Sequence, residues 1–191
     1  MSKDYSEDQL IQKSAADLLE KELGWTSVMA WDAEVLGETG TLGRKSYHEV
    51  LLVRHFCKAL KSLNPWMTEK QLAEAVERMT ERMSSQTLMQ INEEKYQYIK
   101  DGIPVTRTKP NGETEEVRAK VIDFASPQKN EFLCVRELWV YGALYHIPIV
   151  LAHRELWVYG ALYRRRADIV GFVNGIPLPS SHKRPVSLSV L

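Results

Sequence analysis

The amino-acid sequence predicts an α+β fold, with helices in the first half and a mostly antiparallel or mixed β-sheet in the second. Up to about residue 100, apolar residues recur at helical spacing between residues that cap and end helices. Beyond that point the pattern changes to short β-type runs separated by turn residues. With 191 residues, 44% of them hydrophobic and 26% charged, the chain is long enough for one domain with a buried core.

Four helices are predicted. Ser6, Ser46 and Thr68 each stand three residues before a Gln or a Glu, the spacing of a capping box, and each is expected to open a helix. Gly24 and the Asn64-Pro65 pair are expected to end the first and the second helix. The predicted helices cover 6–23, 46–63, 68–83 and 87–100.

Strands are predicted from runs of β-branched and aromatic residues. Pro110-Asn111-Gly112 and Asn174-Gly175 have the composition of hairpin turns. The final residues, 179–191, contain two prolines and several serines, so we expect them to form a tail outside a domain that covers 1–178. The predicted strands cover 25–31, 105–109, 115–124, 132–141 and 167–173, with one more from Ile176 onward.

Charge and cysteine content limit the function classes. The formal net charge is +0, so the chain as a whole has no field directed at nucleic acid or membrane. From Arg136 onward, however, there are seven basic residues and only three acidic ones. The two cysteines lack metal-ligand spacing, the N-terminus lacks the apolar core of a signal peptide, and no run is long enough to span a bilayer. These features favour a cytoplasmic protein with no membrane partner.

Two patterns resemble ligand sites but fail on spacing. The glycine-rich stretch GETGTLGRKS, 37–46, lacks the Gly-x-x-x-x-Gly-Lys-Ser/Thr spacing of a phosphate loop, because Arg44 follows Gly43. We therefore expect a flexible loop before a helix. The five histidines show no metal-ligand spacing either.

A ten-residue segment occurs twice without a difference: RELWVYGALY occupies 136–145 and 154–163. Repeat folds need at least three units, so two identical copies indicate a recent duplication or an assembly fault. The shift of eighteen residues is even, so either copy can occupy one strand with the same faces inward. We expect one copy to pair in the sheet and the other to form an edge strand or an exposed apolar loop.

The stretch RRRADIVGFVNGIPL, 164–178, points to chemistry. It joins the basic residues Arg164, Arg165 and Arg166 to Asp168, on a strand that an Asn-Gly turn connects to a second strand. A metal-dependent nuclease uses such a hairpin, with one acid on the first strand and an acid and a lysine two residues apart on the second. The acids hold Mg²⁺, and the lysine positions the attacking water and the phosphate. In the alternative interpretation, Asp168 is an ordinary solvated acid at the start of a strand.

Several motifs, in order, resemble a known family. EDQLIQKSAADLLEKELGW, LGRKSYHEVLL, NEEKYQYIKDGIPV and RRRADIVGFVNGIPL are similar to the N-terminal nuclease domain of the restriction (R) subunit of type I restriction-modification enzymes. The resemblance covers about 5–178, apart from the repeat. It implies a PD-(D/E)xK restriction-endonuclease-like fold and Mg²⁺-dependent DNA cleavage. It also implies a downstream ATP-driven translocase, and methylation and specificity subunits as partners.

The resemblance also implies site residues. Asp168 falls on the family's first metal-binding acid, and Glu7 resembles a helix acid that helps some relatives bind metal, although an acid at a helix start also suits the helix dipole. The family's Glu and Lys would fall fourteen and sixteen residues after Asp168, where this sequence has His182 and Arg184. Imidazole is a poor partner for Mg²⁺, and Pro179 removes a strand N–H.

The sequence therefore predicts a truncated or frame-shifted fragment of a type I restriction R subunit, incomplete at its C-terminus, without the ATP site and with little or no DNA cleavage. Three alternatives stay open. A non-catalytic remnant would bind DNA phosphates through the three consecutive arginines, or would bind another subunit. A stand-alone nuclease would take its missing ligands from elsewhere, with Glu7 and Glu137 or Glu155 as candidates, although spacing gives no support for it. A fragment without function is the third.

Overall fold

The computed structural model describes residues 7–30, 33–81, 86–109, 111–142 and 163–178, and it confirms the predicted α+β class. The helices are α1 (Glu7–Leu23), α2 (Val53–Leu63), α3 (Glu69–Thr80) and α4 (Leu88–Asp101). The strands are β1 (Thr26–Met29), β2 (Ile103–Thr108), β3 (Thr114–Ala119), β4 (Phe132–Gly142), β5 (Tyr163–Val173) and β6 (Ile176–Pro177). A 3₁₀ turn lies at Pro127–Lys129.

The strands form two separate sheets. A mixed sheet has the order β1-β4-β5-β6, in which β1 runs parallel to β4 and the other neighbours are antiparallel. β2 and β3 form an antiparallel hairpin of their own. The predicted mixed sheet is confirmed, whereas its separation from the β2–β3 hairpin is not visible in the sequence.

The predicted strand over 115–124 is shorter than expected. β3 stops at Ala119, because the next N–H, that of Lys120, donates to Oδ1 of Asn64 at 2.8 Å. The Asn64 amide also donates to the Lys120 carbonyl at 2.8 Å. The asparagine that ends α2 therefore also satisfies the backbone N–H and carbonyl of the first residue after β3.

Capping boxes open the last two of the described helices, α3 and α4. Thr68 accepts from the Gln71 N–H at 3.4 Å, and the Gln71 side chain accepts from the Thr68 N–H at 2.9 Å, which confirms the predicted start of α3. Thr87 and Gln90 form the same reciprocal pair at α4. Each box satisfies two donors that a first helical turn leaves unpaired. Ser6 lies outside the described residues, and no helix within them is long and apolar enough to cross a membrane.

The predicted helix start at Ser46 is wrong. Glu49 does turn back, and its carboxylate accepts from the Lys45 N–H at 2.8 Å, but only one turn forms there. The carbonyl of Glu49, which a helix would pair with the N–H of Val53, instead accepts from the Arg44 guanidinium at 3.2 Å. A side-chain contact thus takes the place of a helical hydrogen bond at Glu49, and α2 begins at Val53.

The core consists of two clusters of buried side chains. The first lies among α2, α3, α4 and the β2–β3 hairpin, and the second combines residues of β4 and β5 with residues of the segment between β1 and α2. The first contains Phe56, Leu60, Leu72, Ala75, Met79, Tyr98, Ile103, Val105, Ala119, Val121 and Ile176. The second contains Ala30, Leu42, Leu52, Leu133, Val135, Leu138, Val140, Val170 and Phe172.

Asn174 joins the two clusters at the turn between β5 and β6. Its side chain is buried; Oδ1 accepts from the Glu131 N–H at 2.8 Å, and Nδ2 donates to the Val121 carbonyl at 2.8 Å and to Oδ1 of Asn130 at 2.9 Å. Its φ of +53° is a left-handed conformation that asparagine tolerates better than other residues with a Cβ. The predicted Asn-Gly turn is therefore confirmed, and it is a buried junction.

Gly175 meets the start of α2 in the same turn. Its carbonyl accepts from the Leu52 N–H at 2.9 Å, and its φ is +79°. A Cβ at Gly175 would lie 2.6 Å from the Leu52 carbonyl oxygen, so glycine is required both by the backbone conformation and by the close approach.

Replacing Asn174 with alanine should destabilise the protein strongly. The change leaves the Glu131 N–H and the Val121 carbonyl without their partners in the interior and places alanine at positive φ. We expect the free energy of unfolding, measured by urea denaturation, to fall by about 3 kcal/mol. Asn111→Ala is the matched control, since that side chain bonds to Glu113 in an exposed turn and its loss should cost under about 0.5 kcal/mol. Equal, small losses in both variants would contradict the role assigned to Asn174.

Candidate metal and nucleic-acid site on the central strand pair

Asp168 lies in the middle of β5 and is half-buried. β4 and β5 are the central pair of the mixed sheet, and they pair from Phe132↔Val173 to Gly142↔Tyr163 with one interruption, at Glu137 and Asp168. The structure thus places Asp168 on the strand that leads into the Asn-Gly turn, as the sequence predicts. Its role as a metal ligand stays a prediction.

Glu137 of β4 occupies the position that faces Asp168. The pairs on either side are Arg136↔Ile169 and Leu138↔Ala167, so the two acids occupy facing positions, although the ladder does not pair them with each other. Glu137 is only 5% exposed and has a φ of +58°. The left-handed region is costly for a residue with a Cβ, and such strained residues are often found at functional sites.

Both strands lose their regular alternation at these two acids. On β4 the second core cluster contains Val135 and then Leu138, and on β5 it contains Val170, with Ala167 packed against it. Each of these pairs is three residues apart and brackets one acid, whereas side chains on one face of a regular strand are two apart. Because the irregularity is shared, the register is unchanged beyond it.

A buried ion pair holds β4 beside the acids. Arg44 donates to both carboxylate oxygens of Glu34, at 2.8 and 2.5 Å, and the two side chains are 0% and 2% exposed. Its guanidinium also donates to the carbonyls of Glu49, at 3.2 Å, and Trp139, at 3.0 Å. One arginine fork therefore ties the loop after β1 to the β4 backbone two residues from Glu137.

The glycine-rich stretch 37–46 is tied to its surroundings by its own backbone. The N–H groups of Gly37, Gly40 and Thr41 donate to carbonyls within or beside the loop. The guanidinium of Arg54 donates to three of its carbonyls, at 3.3, 2.8 and 2.8 Å. A phosphate-binding loop directs its N–H groups at the ligand, and here these three are already bonded. The loop supports α2 and β4.

The other predicted site residues fall partly within the described ranges. Arg164, Arg165 and Arg166 belong to β5, where their backbones pair with residues 139–141 of β4. Glu7 is the first residue of α1, which packs against β1, β4 and β5. No three His, Cys, Asp or Glu residues group to hold a metal ion among the described residues. Outside those ranges lie Glu155, His182 and Arg184.

Sequence reasoning missed the facing position of Glu137 and the burial of Arg44. Spacing along the chain does not show which residues face each other across an antiparallel ladder; the register of the two strands would have shown it. Arg44 gives no such signal, because it lies in a loop between two glycines and a lysine-serine pair, a composition typical of exposed chain.

Comparison with known proteins gives the family. The family model described as type I restriction enzyme R protein N terminus matches residues 4–179, which include the whole of the β4–β5 pair and both acids. The chain belongs to this family. The resemblance drawn from the sequence motifs is thereby confirmed.

Two relatives show how much of a longer protein this R-protein family member matches. It is 30% identical over 173 residues to the putative type I restriction enzyme MjaIXP endonuclease subunit of Methanocaldococcus jannaschii, covering 91% of this chain and 14% of the relative. It is 27% identical over 156 residues to the type I restriction enzyme HindI endonuclease subunit of Haemophilus influenzae, covering 82% and 13%. The chain thus spans about one seventh of the length of these relatives. No solved structure matches it.

Replacing Arg44 with methionine should destabilise the fold around the acids. The change leaves the carboxylate of Glu34 buried without its counter-ion, so we expect the free energy of unfolding to fall by about 3–5 kcal/mol. Lys45→Met is the matched control, because Lys45 and its partner Glu38 are 69% and 79% exposed and such pairs contribute under about 1 kcal/mol. Thermal and urea denaturation measure both variants, and a loss in Arg44→Met no greater than in Lys45→Met would show that the buried pair is not an anchor.

Proposed function

We propose that this chain is the nuclease-type domain of a type I restriction R protein, with a PD-(D/E)xK-like fold and a metal-binding acid at Asp168, and that it cuts DNA little or not at all. One observation carries the proposal. In a member of the R-protein family, Asp168 lies in the central antiparallel strand pair, on the strand that leads through Asn174 and Gly175 into the next one. The α+β architecture with a mixed sheet supports the fold assignment.

The donor set at the two acids suits Mg²⁺. This ion prefers oxygen ligands and is commonly held by one or two carboxylates, with water and substrate phosphate completing its shell. Asp168 and Glu137, at facing positions, supply two carboxylates, and Glu7 on α1 is a further candidate. Bound there, the ion would supply an activated water and neutralise charge on the phosphate. The contribution of the protein is to hold the two carboxylates close together on the neighbouring strands β4 and β5.

The positions that should complete the site carry the wrong chemistry. Fourteen and sixteen residues after Asp168, where a nuclease of this kind needs an acid and a lysine, the chain has His182 and Arg184. Imidazole is a poor ligand for Mg²⁺, and the planar guanidinium does not replace the compact ammonium of a lysine. Pro179, at the start of this segment, has no N–H to donate to a sheet. These identities support low activity.

The cellular setting follows from the same proposal. A domain of this family would work in the cytoplasm on foreign DNA, together with methylation and specificity subunits. ATP would be used by the translocase of the longer R proteins, outside the region that this chain represents.

We expect purified protein to leave supercoiled plasmid intact in the presence of Mg²⁺, because the acid and lysine of the second strand are replaced. Agarose-gel analysis of nicked and linear products measures this, with EDTA as the metal-free control. Mg²⁺-dependent cutting that persists in Asp123→Ala but disappears in Asp168→Ala would overturn the proposal of inactivity. If Glu137→Gln also abolished such cutting, the protein would instead be an active nuclease in which Glu137 supplies the second acid.

The alternative function is DNA binding without cleavage. Arg164, Arg165 and Arg166 are consecutive on β5, directly before the acid-bearing half of the strand, and the chain from Arg136 onward has an excess of basic residues. Arginines that neutralise phosphates release counter-ions, so the resulting affinity falls steeply with salt.

Replacing all three arginines with glutamine should weaken DNA binding and flatten its salt dependence. Each lost phosphate contact removes about 0.9 from the slope of log K against log salt, so the slope should drop by up to about 3. Fluorescence anisotropy with a labelled duplex at several salt concentrations measures it. Glutamine at Lys21, Lys45 and Lys61, three exposed lysines elsewhere, removes the same charge and should change the slope little. Absence of binding by the unaltered chain at low salt would rule out this alternative.

A further inference from the structure

The loop that joins β3 to β4, residues 120–131, is held firmly at its base. Ile122 packs against the first core cluster. The Asp123 N–H donates to Oδ1 of Asn130 at 2.9 Å, and the Asn130 amide donates back to the Asp123 carbonyl at 2.9 Å. Asn130 in turn accepts from the buried side chain of Asn174 at 2.9 Å. The two sides of the loop are therefore joined to each other and to the core.

Phe124, the next residue of this loop, is 65% exposed. The chain has four phenylalanines: Phe56 and Phe172 are fully buried, and the ring of Phe132 lies 5.2 Å from that of Trp25. Burial of a phenylalanine ring is strongly stabilising, and Phe124 forgoes most of that stabilisation although its loop is anchored. An exposed aromatic ring on an anchored loop is well suited to contact a partner, because little conformational freedom is lost on binding.

The exposed charge beside Phe124 is positive. Lys120 and Lys129 are both exposed, whereas the carboxylate of Asp123 is buried and accepts from the Ser126 N–H at 3.0 Å. This bond holds the pKa of the Asp123 carboxyl below its usual value, and the charges of Lys120 and Lys129 lower it further. Lys120 Nζ lies 3.5 Å from that carboxylate, yet its side chain remains 53% exposed. The loop therefore hides its acid and presents its lysines.

The second acid of the loop, Glu131, is also engaged. Its carboxylate accepts from His55 Nδ1 at 2.9 Å and from Lys58 Nζ at 2.8 Å. Burial raises the pKa of the Glu131 carboxyl, but the hydrogen bonds from Lys58 and His55 outweigh it and hold that pKa below its usual value. Lys58 is itself 74% exposed, so it adds a third ammonium group beside the loop. An anionic partner would complement this surface.

We propose that the 120–131 loop binds single-stranded DNA, with Phe124 stacked on an unpaired base and Lys120 and Lys129 bonded to the flanking phosphates. The choice of DNA as the partner rests on the proposed function. An aromatic ring stacks on any base, because every base has a flat face, and lysines beside the ring follow the backbone. An acidic polypeptide would match the lysines but offers no such face to the ring.

The small size of the surface favours an unpaired strand over a duplex. In a duplex the base faces are stacked on one another, and a side chain reaches them only by unstacking a base step. Proteins that do so offset the cost by bending the DNA against a large surface. This loop offers one ring and two adjacent ammonium groups. A single strand presents its base faces without that cost.

Fluorescence anisotropy with a labelled oligothymidylate tests the contact, in EDTA so that metal at Asp168 does not contribute. Phe124→Ala should raise Kd roughly fivefold to a hundredfold, and Phe124→Trp should restore binding. Tyr96→Ala is the matched control, because Tyr96 is 58% exposed but follows two acids, Glu93 and Glu94, and its Kd should not change. Urea midpoints should stay unchanged in all three variants, since both side chains are largely exposed.

Replacing Lys120 and Lys129 together with glutamine tests the phosphate contacts. Each contact to a single strand contributes about 0.7 to the slope of log K against log salt, so the slope should fall by up to about 1.4. Glutamine at Lys21 and Lys45, whose side chains are 73% and 69% exposed, removes the same charge elsewhere and should leave the slope unchanged.

Four outcomes would contradict the proposal: no binding of oligothymidylate at low salt, equal Kd values for the unaltered chain and Phe124→Ala, an equal loss in Tyr96→Ala, or a duplex bound as tightly with the same dependence on Phe124. Binding of labelled polyglutamate that depends on Phe124 would identify an acidic protein partner instead. Plasmid cleavage with Mg²⁺ and duplex binding by the arginine variants are measured separately. A failure of the loop contact is therefore distinguishable from a failure of the proposed function.

Discussion

The antiparallel pairing of β4 with β5 is the constraint on which the rest of the structure depends. β4 provides the parallel partner for β1, and one face of the pair supplies most of the second core cluster. The same register sets Glu137 opposite Asp168. A slip by one residue would turn the apolar residues away from the core and separate the two acids, so burial of the cluster and the geometry of the candidate site are fixed together.

The sequence predicts the local elements well where the deciding interactions are themselves local. At the start of α3, the side chain of Thr68 and that of Gln71 each accept from the other residue's backbone N–H, and the helix starts there. At Ser46 the same spacing is present, but the guanidinium of Arg44 binds the carbonyl of Glu49 and prevents the helix from starting. Arg44 is only five residues from Glu49, but its guanidinium is held in place by Glu34 and by the carbonyl of Trp139 on β4. The local pattern therefore fails where contacts with other parts of the fold position the side chain that binds a backbone group.

The candidate site likewise has local features that the sequence predicts and long-range features that it does not. The strand of Asp168 and the Asn-Gly turn after it are properties of one short segment, and both are predictable. The facing of Glu137 and Asp168 joins residues 31 apart in sequence through a ladder, and its register is a property of two strands together. Arg44 is harder still, because arginines are rarely buried unless they are paired, and its partner Glu34 belongs to an irregular loop.

The location of the duplication follows from the two ends of β5. At the Tyr163 end, lengthening the connection from two residues to the twenty of 143–162 costs only roughly 2 kcal/mol in loop closure, and the ladder up to Gly142 is unaffected. At the other end, Asn174 and Gly175 bond to three separate parts of the core, and the Gly175 backbone is pressed against α2, so an insertion would break these bonds together. A sheet can therefore carry a second copy of its own strand at the first connection and not at the second. Since the acids are positioned by the ladder and not by the lengthened connection, the duplication leaves their facing register intact.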